Sequence, residues 1–260
     1  MSKPFIRVLG SADWHQTKRN DHSCYTVSDK ILVDACSNVV QNLLEQDVDP
    51  VEVSTICFTH LHADHDRGLA PLLLYWRVRK GSFGEMTIIG PKATVRAAFE
   101  RALNYVFYDS RDLSAEVKEM PTIIEIDGEG SYEIPGFQIG AIDADHAVPA
   151  LCYRFTHQET GLSAGFTGDT RYLPQFGAFF RKVDWLVHEV SFGASPLGPS
   201  NELCRHSSVY EAVQVCREAD ARRLMLTHTY EPKREAALEE ARKRVNVPVE
   251  WAMPYHTFDF

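Results

Sequence analysis

A chain of 260 residues with 44% apolar content is long enough for one substantial core. Its net charge of −9 argues against a broad nucleic-acid footprint while leaving room for a local basic patch. No apolar run approaches a membrane span, and Met1 to Ile6 is too short and mixed for a signal peptide, so no membrane association is expected. The six cysteines form no CxxC pair and sit mostly among apolar neighbours. They are expected to be reduced thiols in a cytoplasmic protein. No linker, internal repeat or low-complexity tract divides the chain, which predicts a single domain over residues 1–260.

Phe5 to Leu9 reads as a first strand. The polar stretch Gly10 to His22 follows and holds Asp13, Trp14, His15, Arg19, Asn20 and His22. Lone histidines such as His15 and His22 are expected at the surface or in local hydrogen bonds. Cys24 to Val27 and Ile31 to Asp34 are short strands around the turn Ser28-Asp29-Lys30. Asp34 ends an apolar strand, where a carboxylate needs a partner. It either caps a helix over Cys36 to Gln46 or supports the next loop.

Ser54 to Phe58 is short, β-branched and apolar, as a buried strand would be. It runs into Thr59-His60-Leu61-His62-Ala63-Asp64-His65-Asp66-Arg67-Gly68, where His60, His62, Asp64 and His65 fall within six residues. Histidines at i and i+2 face opposite sides of a helix. They converge on one ion only from an extended or turning backbone, and Asp64 and His65 then point elsewhere, so one loop can serve two neighbouring metals. Imidazole with carboxylate suits zinc, manganese or iron better than calcium or magnesium. The alternative is a solvated polar loop, and the apolar runs on either side count against it.

A helix from Leu69 to about Arg79 and a strand at Met86 to Ile89 come next. Gly90-Pro91-Lys92 then breaks into a helix from Ala93 to Val106, with Val95, Phe99, Leu103 and Val106 at helical spacing. Tyr105, Phe107 and Tyr108, followed by Asp109 to Asp112, form an aromatic, charged break: a helix end or a substrate wall. Ile123 to Ile126, Tyr132 to Ile134 and Phe137 to Ile142 read as a meander. His146 sits between that last strand and another at Leu151 to Phe155. Asp169 stands at the tip of a strand entering Thr167-Gly168-Asp169-Thr170, where Gly168 frees the backbone. Trp185 to Glu189 is a strand ending in His188-Glu189. Arg205-His206-Ser207-Ser208 opens an amphipathic helix over Val209 to Glu218, capped by Ser207 or Ser208. Leu224 to Thr227 is a buried strand delivering His228, and Glu235 to Arg244 is a last helix.

His60-Leu61-His62-Ala63-Asp64-His65 is the HxHxDH signature of the metallo-β-lactamase superfamily, and the surroundings resemble its ribonuclease Z branch over most of the chain. The resemblance implies an α+β fold, a four-layer αββα sandwich with the metal site between the sheets at one edge. It implies two divalent ions about 3.5 Å apart. Zinc is expected, with manganese and iron as alternatives. His60, His62, His146 and Asp169 would hold one ion, and Asp64, His65, Asp169 and His228 the other. The resemblance makes Asp34 a support for a ligand histidine, His206 a general acid and Glu189 its orienting partner; Asp64 joins these two as an expected catalytic residue. Arg19-Asn20 matches a pair in the branch. Ser208 stands where the branch has threonine.

The resemblance has a limit. Ribonuclease Z carries a long arm between the third histidine and the bridging aspartate that clamps transfer RNA. Here His146 and Asp169 are separated by two short strands and a turn. With the acidic charge, this argues against transfer RNA as a partner and for a small-molecule substrate, in a layout similar to phosphoribosyl cyclic phosphodiesterase. The expected function is a dinuclear metal-dependent phosphodiesterase acting on small or cyclic phosphoesters through an activated water. The alternatives are a lactone, thioester or sulfate-ester hydrolase, a ribonuclease Z-type RNA processor, and a non-catalytic metal-binding sensor, since fold alone does not choose among chemistries. Arg19, Trp14, Tyr105 and Tyr108 are the expected substrate wall, with Arg19 pairing a phosphate and the aromatics stacking on a ring. Ordinary surface and core packing is the competing account of all four. A homodimer is left open.

Overall fold

The computed structural model describes residues 3–107, 117–199 and 201–260. The strands are β1 (Phe5–Ala12), β2 (Asp21–His22), β3 (Cys24–Val27), β4 (Ile31–Val33), β5 (Thr55–Cys57), β6 (Thr87–Pro91), β7 (Thr122–Ile126) and β8 (Gly130–Ile134). They continue with β9 (Phe137–Asp143), β10 (Leu151–His157), β11 (Ser163–Phe166), β12 (Trp185–Glu189), β13 (Leu224–Thr227), β14 (Val249–Trp251) and β15 (Thr257–Asp259). One sheet has the order β15-β1-β3-β4-β5-β6-β7, with β2 beside β1, and the other the order β14-β13-β12-β11-β10-β9-β8.

Alternation along each strand decides what lies between the sheets, because successive side chains point to opposite faces. On β4, Ile31 and Val33 face the second sheet while Leu32 faces the helices. On β12, Trp185 and Val187 point inward and Leu186 outward. The inward residues of both sheets fuse into one apolar layer that includes Val8, Tyr25, Phe155, Phe166 and Met225. A second layer packs the first sheet against α1 (Val39–Leu44), α3 (Leu69–Lys80) and α4 (Val95–Phe107). A third packs the other sheet against α5 (Phe176–Phe179), α7 (Val209–Glu218) and α8 (Arg234–Arg244). The fold is therefore the expected αββα sandwich. No disulfide joins the six cysteines, and all but Cys204 are buried. Among the described residues no helix is long and apolar enough to cross a membrane.

Four expectations need correction. The meander is right only in part: β8 and β9 pair antiparallel and continue into β10 in the second sheet, but β7 pairs parallel with β6 in the first. Local apolar alternation does not reveal which sheet a strand joins. The helix expected over Cys36 to Gln46 covers only Val39–Leu44, with Asn38 at its N-terminal boundary, so Asp34 is not its cap. Asp64 and His65 lie on a one-turn helix, α2 (Ala63–Asp66), rather than on a loop. Strand β6 continues through Gly90 and Pro91, and α4 begins only at Val95.

One side of each sheet is parallel out to its edge strand, β4-β5-β6-β7 in one and β11-β12-β13-β14 in the other. The loops leaving the carboxyl ends of β4, β5, β9, β11, β12 and β13 therefore gather at one edge, the usual place for a site in such sheets. Hydrogen bonds stitch the sheets together there: Tyr153 donates to the Phe58 carbonyl at 2.8 Å, and the Leu151 amide to the Thr59 carbonyl at 2.8 Å.

Candidate metal centre

Thr59 and Asp34 form the floor of that edge. The Asp34 carboxylate is 2% exposed. It accepts the Thr59 amide and hydroxyl, each at 2.7 Å, and the His65 Nδ1–H at 2.8 Å. Asp34 thus supports His65, as the resemblance implied. Its backbone sits at φ 59°, and Arg205 and His228 beside the same cluster stand at 52° and 53°. Left-handed backbone is costly for such residues and gathers where a site demands it.

Each buried ring has one nitrogen fixed by an acceptor, which leaves the other as a lone pair. The Thr59 hydroxyl has given its proton to Asp34, so it accepts from His60 Nδ1 at 3.2 Å. The Arg205 carbonyl accepts from His146 Nδ1 at 3.3 Å. Ser191 Oγ donates to Glu189 at 2.7 Å and accepts from His228 Nδ1 at 2.9 Å. That leaves His60 Nε2 and His146 Nε2, and the half-buried His62 places its Nδ1 3.1 Å from each of them. Nitrogens about 2.0–2.1 Å from a tetrahedral zinc lie roughly 3.3 Å apart, so this spacing fits one cation.

His65 Nε2 and His228 Nε2, 3.4 Å apart, form a second group with Asp64, whose Oδ2 is 3.8 Å and 3.6 Å from them. Asp169 Oδ2 reaches both groups, at 3.7 Å from His60 Nε2, 3.5 Å from His65 Nε2 and 3.4 Å from His228 Nε2. The clusters His60-His62-His146, His60-His65-Asp169 and Asp64-His65-His228 each have the compactness of a metal site. All seven expected ligands therefore converge on the His/Asp donor chemistry of a divalent cation.

Electrostatics point the same way. Burial lowers the proton affinity of His60, His62 and His146, keeping them neutral donors. Burial also works against charge on His65 and His228, yet Asp169 and its neighbours hold both above the ordinary imidazole value. Asp169 itself is held well below the carboxylate range, its burial outweighed by His228 and His65. The buried carboxylates thus make the cluster a place that favours positive charge.

Glycine is required in front of Asp169. Gly168 has φ +56°, and a Cβ there would come within 2.6 Å of Thr59 Cβ. Gly168→Ala should cost about 1–3 kcal/mol through backbone strain, read as a lower midpoint in urea unfolding, and should displace Asp169 from the histidines.

Beside this cluster stands His206. Glu189 follows Trp185 and Val187 on the inward parity of β12, so it enters the site, whereas His188 turns away and is buried among the helices. Glu189 Oε1 accepts His206 Nδ1, the Thr170 amide and the Ser207 amide, each at 3.0 Å; Oε2 accepts the Ser191 amide at 2.9 Å. Five donors thus hold one carboxylate, counting the Ser191 hydroxyl. Burial opposes a charge on His206, but Glu189 outweighs it and pushes the imidazole up to about 10. Ser208, not Ser207, caps α7 in a reciprocal box with Glu211.

The expected substrate wall divides. Trp14, 71% exposed, lines a pocket of about 430 Å³ with His206 and His228. Arg19 lies instead in a separate cleft with Gln41, Glu45 and Tyr255. Its neighbour Asn20 accepts the Ser11 amide at 2.9 Å, and Ser11 accepts the His228 amide at 2.9 Å. Tyr105 is 81% exposed on α4, and Tyr108 lies outside the described residues. His22 is buried against Ser37 at 3.2 Å, while His15 is exposed and lines the Trp14 pocket. Sequence reasoning missed Ser191, Thr59, Tyr230 and Lys233. The hydroxyl two positions after Glu189 was the available signal for Ser191.

Comparisons with known proteins agree with this geometry. The family model described as "Beta-lactamase superfamily domain" matches residues 29–229. A curated relative named ribonuclease Z, from Bacillus licheniformis, is 27% identical over 243 residues, covering 74% of this chain and 76% of its own. The metallo-β-lactamase fold protein YhfI from Bacillus subtilis superposes with a TM-score of 0.83 at 22% identity, over 100% of both chains. The human short-form tRNase Z superposes at 0.74 with 17% identity, over 98% of both.

Proposed function

The chain belongs to the β-lactamase superfamily, and from that premise we propose that it is a dinuclear metal-dependent phosphodiesterase acting on small or cyclic phosphoesters. His60, His62 and His146 would hold one ion, Asp64, His65 and His228 the other, with Asp169 within reach of both; zinc suits this donor set. Two such cations offset charge on non-bridging phosphate oxygens and acidify a shared water.

The observation that carries the reading is the His206–Glu189 pair beside the cluster. A thioester leaves as a thiolate with little need of a proton, whereas an alkoxide leaving from phosphate needs one. His206 is placed to donate it: Glu189 takes its Nδ1–H, and the free edge of the ring carries the second proton. The β10–β11 connection is a tight hairpin through Gln158 to Gly161. It offers no arm for a long RNA, which favours small substrates. Ribonuclease Z-type processing is the second reading, favoured by the curated relative's name.

A panel tests the choice: bis-p-nitrophenyl phosphate, cyclic nucleotides, a lactone, an aryl sulfate and a precursor transfer RNA, each offered to metal-reconstituted protein. Turnover of diesters with the others untouched is the expected result. Cleavage of the lactone or sulfate alone would overturn the reading, and specific cleavage of the precursor RNA would replace it with the second.

Ser191 is expected to matter without touching substrate. It holds His228 in the tautomer that presents Nε2 to the site. Ser191→Ala should weaken the second ion about 10–100-fold, the usual effect of losing a partner behind a ligand. Metal titration against a chelator should show the first ion unchanged.

A further inference from the structure

We infer that the pocket lined by Trp14, His15, Tyr230, Lys233 and His206 is a leaving-group subsite built for a planar aromatic ring of nucleoside size. The inference rests on the phosphodiesterase reading and names which half of the substrate sits on which side of the centre.

His206 lines this pocket together with His228. If His206 gives its proton to the departing oxygen, the group attached to that oxygen must occupy the space His206 faces. The cavity of about 430 Å³ falls in the range of small-ligand sites. Three rings stand in series along it: Trp14 and His15 with centroids 3.4 Å apart, His15 and Tyr230 with centroids 5.0 Å apart. Trp14 is 71% and Tyr230 41% exposed, which is unusual for residues of that size. Exposed aromatic faces concentrated at the mouth of a charged site are stacking platforms, since every nucleobase has a π-face. The Lys233 ammonium, anchored on the Ser191 carbonyl at 3.2 Å, adds a cation to the same wall.

The opposite cleft, of about 640 Å³ beyond His146, differs in kind. No Trp, Tyr or Phe lines it, and its cations Lys92 and Arg205 are already paired with Asp127 and Asp145. A ring therefore has a platform on the His206 side alone of these two.

The test compares adenosine 5′-monophosphate with ribose 5-phosphate on the metal-reconstituted protein. In both, the ester oxygen stands where the leaving oxygen would be, and only the first carries a ring. Trp76, Trp185 and Trp251 are buried, so quenching of accessible tryptophan fluorescence reports on Trp14. Adenosine monophosphate should bind about tenfold tighter than ribose phosphate and quench that fluorescence. In the double variant Trp14→Leu, Tyr230→Leu the two should bind within about twofold of each other, with ribose phosphate affinity retained. Equal affinities in the natural chain, or a preference that survives the double variant, would overturn the subsite. Loss of ribose phosphate binding in the variant would overturn it as well, making these residues supports of the centre. A ratio of one leaves the phosphodiesterase reading standing, and failure of every diester in the substrate panel leaves the binding ratio readable.

Discussion

Asp169→Ala should abolish turnover and strip the protein of both metal ions. Turnover should fall by about a thousandfold or more, since it removes the shared anion and the metal-activated water together. The reason is its position: one oxygen lies within 3.4–3.7 Å of His60, His65 and His228, so no single group can be said to own it. It is 3% exposed and is presented by Gly168, whose backbone only glycine adopts without strain there. His228→Ala should behave differently. It removes one nitrogen from the Asp64-His65 group and leaves His60, His62 and His146 intact. Metal analysis after dialysis should give close to no ion for Asp169→Ala and about one ion per chain for His228→Ala. Two ions retained by Asp169→Ala would remove it from the ligand set. Loss of both ions by His228→Ala would mean that the two sites bind as one unit.

The candidate ligands were legible because they combine two local signals, an apolar strand and a His or Asp at its carboxyl end. That pairing recurs at β5, β9, β11 and β13, and the HxHxDH spacing supplies four of the seven proposed ligands from one segment. What holds the ligands was less legible. Thr59 and Ser191 set the tautomers of His60 and His228 through single hydroxyls, and a hydroxyl in a sequence carries no mark of what it will face. Strands β14 and β15 passed unnoticed because each is three residues long and mixed in character; their sheet partners are distant in sequence. The substrate wall divided for a related reason. Arg19 has φ 67° within the bridge between Thr17 and Asn20, and that turn carries it into another cleft. Trp14, five residues earlier, stays at the centre. Glu189 rather than His188 came from the resemblance, and the structure supplies the physical reason: Glu189 shares the inward parity of Trp185 and Val187 on β12.

His206→Ala should divide substrates by their leaving groups. Glu189 anchors Nδ1 at 3.0 Å and pushes the imidazole up to about 10, which favours a proton on its outer edge. A proton from that edge matters in proportion to the basicity of the oxygen that departs. With an alkyl leaving group, which cannot leave as an anion at useful speed, the variant should lose about a hundredfold or more in kcat. With p-nitrophenolate, which leaves readily without a proton, the loss should be much smaller. Metal content should be unchanged, because His206 is not needed to complete the His60-His62-His146 or Asp64-His65-His228 groups. Glu189→Gln is the informative partner. It keeps a hydrogen-bond acceptor near His206 but removes the charge that raises its pKa, so the imidazolium should lose its proton at lower pH. The alkyl-diester rate should then fall at a lower pH than in the natural chain, while the p-nitrophenyl rate should follow the centre alone. Equal losses on both substrates for His206→Ala would recast the residue as one that positions phosphate. Loss of metal would make it a ligand. No loss on either would take away the feature on which a phosphodiesterase is preferred to a thioester hydrolase.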